Sequence, residues 1–283
     1  MHEPLLRVDD LHVSFRTPRG VVNAVRGVSF EVGREKVGIV GESGSGKSIT
    51  GRAVMRLLPP AAEARANRLS FRDIDLLRAS EKQMLDIRGG QIGLIMQDPK
   101  YSLNPVVRVG DQIAEAYRLH RGGNRKAARA SAMAMLEAVK IRDPERVYRL
   151  YPHEVSGGMG QRIMIATMLL AEPDLLIADE PTSALDVTVR LEVLSILDEL
   201  IETRGLGLIF ISHDLNLVRA FCDRVLIMYA GRIVEELPAS ELEHARHPYT
   251  QGLLAALPRI HQRRERLAVM QRDPAWLDGP TYR

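Results

Sequence analysis

Short all-apolar strands alternating with helices predict an α/β fold built on a mostly parallel sheet. A period-two pattern near the N-terminus adds an antiparallel β subdomain, and a stretch rich in Ala, Met, Leu and Arg over about 98–162 adds an inserted helical subdomain. Taking the elements in order, Leu11, Val13 and Phe15 alternate with His12, Ser14 and Arg16. The apolar set resumes at Val21, Val22, Ala24 and Val25 after Thr17-Pro18-Arg19-Gly20, which predicts a hairpin. Val28, Phe30 and Val32 predict a further strand, and Val37-Gly38-Ile39-Val40 predicts one buried on both faces. A sharp turn then enters a helix that ends before Pro59-Pro60. The helical stretch breaks at Gly122-Gly123 and Asp143-Pro144. Leu175-Leu176-Ile177-Ala178 is a second buried strand, followed by a helix over 189–202 and the strand Leu208-Ile209-Phe210-Ile211. Beyond Pro238 comes a mixed tail whose last part, from about Gln262, lacks apolar periodicity.

Composition narrows the class. The 283 residues are 45% hydrophobic and 27% charged, as in a globular protein. A chain of this length removes roughly 70–75% of its unfolded surface from water without needing staples. Cys222 is the one cysteine, so an internal disulfide framework and any site built from several thiolates are excluded and a reducing compartment is predicted. The 39 Lys and Arg against 36 Asp and Glu leave a net charge of +3, which demands no polyanion, and no nucleic-acid partner is predicted. The first ten residues carry acids and lack a secretory pattern, and the apolar run over 163–171 falls well short of the ~20 residues that cross a bilayer. Membrane contact is therefore expected through another chain.

Gly41-Glu42-Ser43-Gly44-Ser45-Gly46-Lys47-Ser48 follows the phosphate-loop pattern and lies between a buried strand and a helix, where such a loop has to be. Its glycines let backbone N–H groups turn in on phosphate oxygens, and the helix start adds further N–H groups and a positive dipole end. Lys47 is assigned to the β- and γ-phosphates and the Ser48 hydroxyl to Mg²⁺. Asp179-Glu180 follows the buried strand at its carboxyl end, where open parallel sheets bind ligands. Asp179 is placed toward the metal and Glu180 as general base for the attacking water. His213, after the strand that ends near Ile211, is positioned to sense a γ-phosphate, and the Gln97 amide to meet Mg²⁺ or the water.

These residues resemble the ATP-binding subunit of an ABC transporter. Val155-Ser156-Gly157-Gly158-Met159-Gly160-Gln161-Arg162 resembles the family's signature, and Ser183-Ala184-Leu185-Asp186 its D-loop. Gln97 and His213 match its Q-loop and switch histidine, and Phe15 its adenine-stacking ring. The resemblance covers about residues 5–235 and implies a P-loop NTPase fold of RecA-like type, ATP and Mg²⁺ as cofactors, and ATP hydrolysis as the activity. The nucleotide set it implies is Phe15, Gly41, Ser43, Gly44, Ser45, Gly46, Lys47, Ser48, Ile49, Ser156, Gly157, Gly158 and Asp186. Ser48, Gln97 and Asp179 are the implied metal ligands, and Glu180, His213 and Gln97 the catalytic group. It further implies two subunits paired head to tail, with each ATP between one phosphate loop and the opposite signature. Met159 and Gly160 depart from the usual Gln and basic residue of that signature, and Lys36 from a common Thr or Ser.

Gln97-Asp98-Pro99-Lys100-Tyr101-Ser102-Leu103-Asn104-Pro105 and the tail from His247 to Pro258 resemble the peptide and nickel import branch. The expected organisation is a nucleotide-binding domain over 1–235 and a branch-specific extension over 236–283. Tyr249, Leu253, Leu254 and Leu257 share one helical face, the mark of a short amphipathic helix packed on the domain. The branch implies two permease subunits, a second ATP-binding subunit, an extracytoplasmic solute-binding protein, and a place at the cytoplasmic face of the inner membrane. The short tail and Lys100-Tyr101 tilt the expected cargo toward nickel or a metallophore. A chromosome or repair ATPase is disfavoured because no long heptad segments separate the motifs, and a two-headed translation factor because one phosphate loop is present. Glu180 and His213 argue against a partner that binds ATP without hydrolysing it.

Overall fold

A computed structural model describes residues 3–183, 185–257, 273–277 and 279–283, so Ala184 of the D-loop, Pro258 and the stretch from Gln262 to 272 lie outside the described residues. The chain forms two compact units, one of residues 1–79 with 209–283 and the other of residues 80–208.

In the first unit Leu6–Thr17 pairs antiparallel with Gly20–Val32, Thr17 facing Gly20 across the turn. The strands expected over 21–25 and 28–32 are one continuous strand. Register shifts between Val8 and Leu11 and again around Val13 absorb the break in alternation, with Asp10 (φ 51°) and Gly27 (φ 77°) in left-handed conformations. Three short strands unannounced by periodicity, Ala62–Arg65, Arg68–Phe71 and Ile74–Asp75, complete this sheet; the first two pair with Leu6–Thr17. Phe71 is fully buried.

The buried strand Lys36–Val40 lies parallel to Arg224–Tyr229, which turns antiparallel into Arg232–Pro238. Gly207–Ser212, in this unit from Ile209 on, neighbours Lys36–Val40 on the other side. The helix Leu215–Phe221 packs so closely that a Cβ on Gly38 would lie 2.1 Å from Val218 Cγ1. The helix after the phosphate loop is Lys47–Val54 and stops earlier than Pro59 requires, because Arg56 turns left-handed (φ 50°).

The helix Pro248–Ala256 buries Tyr249 and Thr250, while Leu253 and Leu254 are half-exposed. Tyr249 packs against Tyr229 and Trp276, with ring centroids 4.5 and 6.1 Å away.

The second unit carries Ile92–Ile95 parallel to Leu175–Asp179 and the helices Glu81–Ile87, Pro99–Ser102, Val109–His120, Arg125–Ala138, Pro144–Arg149, Gly157–Leu169 and Val187–Arg204. The sequence breaks have local causes. Gly122 and Gly123 take φ of 71° and 95°, and Asp143 caps the next helix by accepting from the Arg146 N–H, with Pro144 at its first turn. Gly205, left-handed at φ 61°, ends Val187–Arg204.

His247 anchors the start of the helix Pro248–Ala256 within the first unit. It is 2% exposed, and its Nδ1 accepts from the Tyr249 N–H at 3.1 Å, capping the helix. Burial holds its pKa below the usual 6.5 despite the opposing carboxylate of Glu235. The folded chain therefore favours neutral imidazole, and the unfolded chain takes up the proton first. His247 contributes its full stability above pH 6.5 and loses it progressively below. The melting temperature should fall between about pH 7.5 and about pH 5.5 more steeply for the natural chain than for His247→Asn, which keeps a non-titrating cap. Equal slopes in a thermal-melt series would refute this role.

Candidate functional site

In the first unit the strand Lys36–Val40 delivers the chain into Gly41 and the loop, and the helix Lys47–Val54 begins at Gly46, which offers no side-chain cap. Lys47 is 5% exposed, and its ammonium folds back over the loop, donating to Gly41 O at 2.7 Å and Glu42 O at 2.9 Å. Gly44 and Gly46 have φ of 82° and 102°, a region other residues enter only with strain. Close approach fixes two more of the glycine requirements: a Cβ on Gly41 would stand 2.0 Å from Met228 O, and one on Gly46 2.5 Å from Ala24 O. The Gly231 N–H donates to Ser45 O at 2.9 Å, and the Ser45 N–H to Glu42 O at 3.1 Å.

Ser45 Oγ is buried and has no hydrogen-bond partner. A buried cation, a partnerless buried hydroxyl and a helix start without a side-chain cap form one donor set facing inward, which fits a polyphosphate. Ser43 and Gly44 are exposed, and Ser48 and Ile49 half-buried, at the same turn. In this unit too, Phe15 is half-buried in register with Val22 and Ala62, and His213 is exposed just beyond Gly207–Ser212.

Periodicity assigns Tyr249 to packing alone, yet its hydroxyl accepts from the Glu42 N–H at 3.1 Å, directly on the phosphate loop. A tyrosine instead of a leucine at a fully buried helix position is the signal that pointed there, since a buried phenol needs a partner for its oxygen.

In the second unit Asp179 is the last residue of the buried strand Leu175–Asp179 and is 7% exposed. Glu180 follows it in a left-handed conformation (φ 49°). The parallel neighbour Ile92–Ile95 leads to Gln97, whose Nε2 donates to Glu180 Oε2 at 3.3 Å, so the ends of the two strands bring these groups together. Ser156 caps the helix Gly157–Leu169 by accepting from the Met159 N–H at 3.3 Å, leaving Gly157 exposed. Asp186 caps Val187–Arg204 by accepting from the Val189 N–H at 3.0 Å. The two caps adjoin, because a Cβ on Gly158 would stand 2.5 Å from Val189 Cγ1. Gly160 is matched to Pro99, whose ring a Cβ there would approach to 3.3 Å. Among the described residues no group of three or more His, Cys, Asp or Glu gathers to hold a metal. A divalent ion here would complete its shell from phosphate and water, the habit of Mg²⁺.

The sequence profile described as ABC transporter matches residues 25–183. The chain belongs to the ABC transporter family. It is 46% identical to the dipeptide transport ATP-binding protein DppD of Bacillus subtilis over 98% of its own length and 84% of that protein's. It is also 46% identical to DppD of Escherichia coli, over 94% of this chain and 82% of the relative. Among solved structures, the dimeric structure of MJ0796, a bacterial ABC transporter cassette, superposes with a TM-score of 0.73 at 25% identity, covering 83% of this chain and 98% of that one. This ABC chain has the P-loop NTPase fold with an antiparallel N-terminal sheet, and it is an ATP-binding ATPase of the branch that includes peptide importers. The relatives named above are dipeptide transport ATP-binding proteins by name, so the tilt toward nickel finds no specific support.

The packing at Gly41 gives a test. Gly41→Ala drives a methyl into the Met228 carbonyl and should weaken ATP binding at least about tenfold, a cost of about 1.4 kcal/mol. Gly44→Ala meets nothing within 4 Å and carries only the left-handed strain, so its loss should be smaller. Calorimetric titration with ATP checks the order; equal losses would show that close approach at Gly41 does not matter.

Proposed function

We propose that this chain is the ATP-hydrolysing subunit of an importer of dipeptides or oligopeptides. The observation that carries the cargo class is the 46% identity with DppD of Bacillus subtilis across 98% of the chain. In this reading Lys47 and the loop N–H groups grip the β- and γ-phosphates, and Phe15 stacks on adenine. Ser48, Gln97 and Asp179 would hold Mg²⁺, which when bound neutralises charge on the phosphates. Glu180 takes the proton of a water as its oxygen bonds to the γ-phosphorus and the bond to the β–γ bridging oxygen breaks. His213 contacts the γ-phosphate and registers its departure.

Ser156, Gly157, Gly158 and Asp186 serve the nucleotide of a second ATP-binding subunit paired head to tail, a reading supported by the dimeric form described for MJ0796. ATP then favours the closed pair, and its loss favours the open one, by the difference in interface affinity between the two nucleotide states. Among the described residues no helix is long and apolar enough to cross a membrane. In this reading coupling runs through two permease subunits, with an extracytoplasmic solute-binding protein delivering cargo and this chain at the cytoplasmic face, as the relatives' place in dipeptide transport suggests.

Glu180→Gln keeps the shape of the side chain and removes the base. It should lower turnover by about 10²-fold or more while ATP still binds and holds the pair together. Hydrolysis at the natural rate, measured by phosphate release, would disprove the role of Glu180. For the cargo, the purified membrane complex with its binding protein should be stimulated in ATP hydrolysis by dipeptides or oligopeptides; stimulation by a nickel chelate alone would replace the peptide reading.

A further inference from the structure

We propose that Tyr249, in the C-terminal extension, is a positioning residue of the phosphate loop that sets the peptide plane on which Lys47 rests. The proposal rests on the reading of 41–48 as the ATP phosphate cradle.

The geometry turns on one peptide group. The carbonyl of Gly41 and the N–H of Glu42 belong to the same planar unit and point in opposite directions from it. Its carbonyl accepts from Lys47 Nζ at 2.7 Å, and its N–H donates to Tyr249 Oη at 3.1 Å. Rotating this plane would break both bonds together, so the phenol oxygen holds one side of the unit whose other side holds the lysine. The next carbonyl, Glu42 O, also accepts from Lys47 Nζ, at 2.9 Å, and lies one residue from the constrained plane.

Tyr249 is itself immobilised. It is 0% exposed, with its ring against Tyr229 and Trp276. Its backbone N–H is tied to His247, whose own N–H donates to Glu235 Oε1 at 3.2 Å. The Trp276 segment is anchored in turn: Arg232 donates to Leu277 O at 3.2 Å, and the Tyr282 N–H to Val234 O at 3.0 Å. Chain more than 200 residues beyond the loop thus ends in a single hydroxyl placed on its second residue. Tyr249 touches neither a nucleotide nor a reacting atom in this account; it acts through the loop.

Tyr249→Phe removes the oxygen and keeps the ring. By equilibrium dialysis with the purified full-length chain, its Kd for ATP should rise about two- to tenfold, the span expected for one lost hydrogen bond. The KM for ATP should rise in step. Leu254→Ala, at a half-exposed position of the same helix, loosens the extension without touching Tyr249's partners and should leave the ATP affinity within about twofold of the natural chain even where the melting temperature falls. Natural affinity in Tyr249→Phe, or an equal loss in Leu254→Ala, would overturn the proposal, the latter by showing that general loosening of the extension suffices. Lys47→Ala separates the two levels: abolished ATP binding there, beside natural binding in Tyr249→Phe, overturns the role of Tyr249 alone, whereas natural ATP binding in Lys47→Ala overturns the cradle reading and this proposal with it.

Discussion

The interaction on which the nucleotide machinery depends is the burial of the Lys47 ammonium over its own loop. Removing such a charge from water costs several kcal/mol after relaxation, and the loop carbonyls of Gly41 and Glu42 return part of that. The arrangement is tenable because those carbonyls cannot turn away. Gly41 is pressed against Met228 O, Gly46 against Ala24 O, and Ser45 O is held by the Gly231 N–H. These contacts hold the loop in one arrangement, and pre-organised donors lose little entropy when an anion binds. The same construction explains why glycine is needed at positions where phosphate is only one of two reasons: Gly41 serves packing, Gly44 serves dihedral freedom, and Gly46 serves both.

What was legible in the sequence follows the range of the forces involved. The phosphate loop, the buried strand before it and Asp179-Glu180 after another such strand are local patterns, and each is found where it was expected. Ala62–Arg65 shows the opposite case. Its sequence, Ala-Glu-Ala-Arg, has no apolar period worth reading, and it is a strand because Phe15, Val13 and their neighbours supply the ladder from some fifty residues away. Gly20–Val32 reads as two strands because Arg26-Gly27 interrupt the alternation; an extra residue at Gly27, opposite the step from Leu11 to His12, carries the ladder across.

The candidate site divides the same way. Residue types and spacing name Ser156 and Asp186, but they do not reveal that both are helix caps whose helices meet at Gly158 and Val189. Nor does helical periodicity reveal what a buried phenol reaches. Tyr249 lies on the apolar face predicted for it, and the hydrogen bond to Glu42 is a property of the tertiary fold. Gly160 is a further instance, since its closeness to the ring of Pro99 joins residues more than sixty positions apart.

Glu180 shows how strain and freedom are distributed at one residue. A non-glycine residue at φ 49° carries about 1–2 kcal/mol of backbone strain, and such strain persists only where the surroundings over-determine the conformation. Here both the N–H and the hydroxyl of Ser183 donate to Glu180 O, each at 3.2 Å, and Pro181 fixes the following φ. The Cα of Glu180 is therefore clamped at the end of a fully buried strand. Its carboxylate, by contrast, meets the Gln97 amide at 3.3 Å, the long end of the hydrogen-bond range. The general-base role proposed for Glu180 would then start from a backbone fixed in advance, and catalytic contacts of such a carboxylate tighten when substrate and water arrive. Gln97 reaches that carboxylate because Ile92–Ile95 runs parallel to Leu175–Asp179, so it is the pairing of two strands distant in sequence that sets the two side chains side by side.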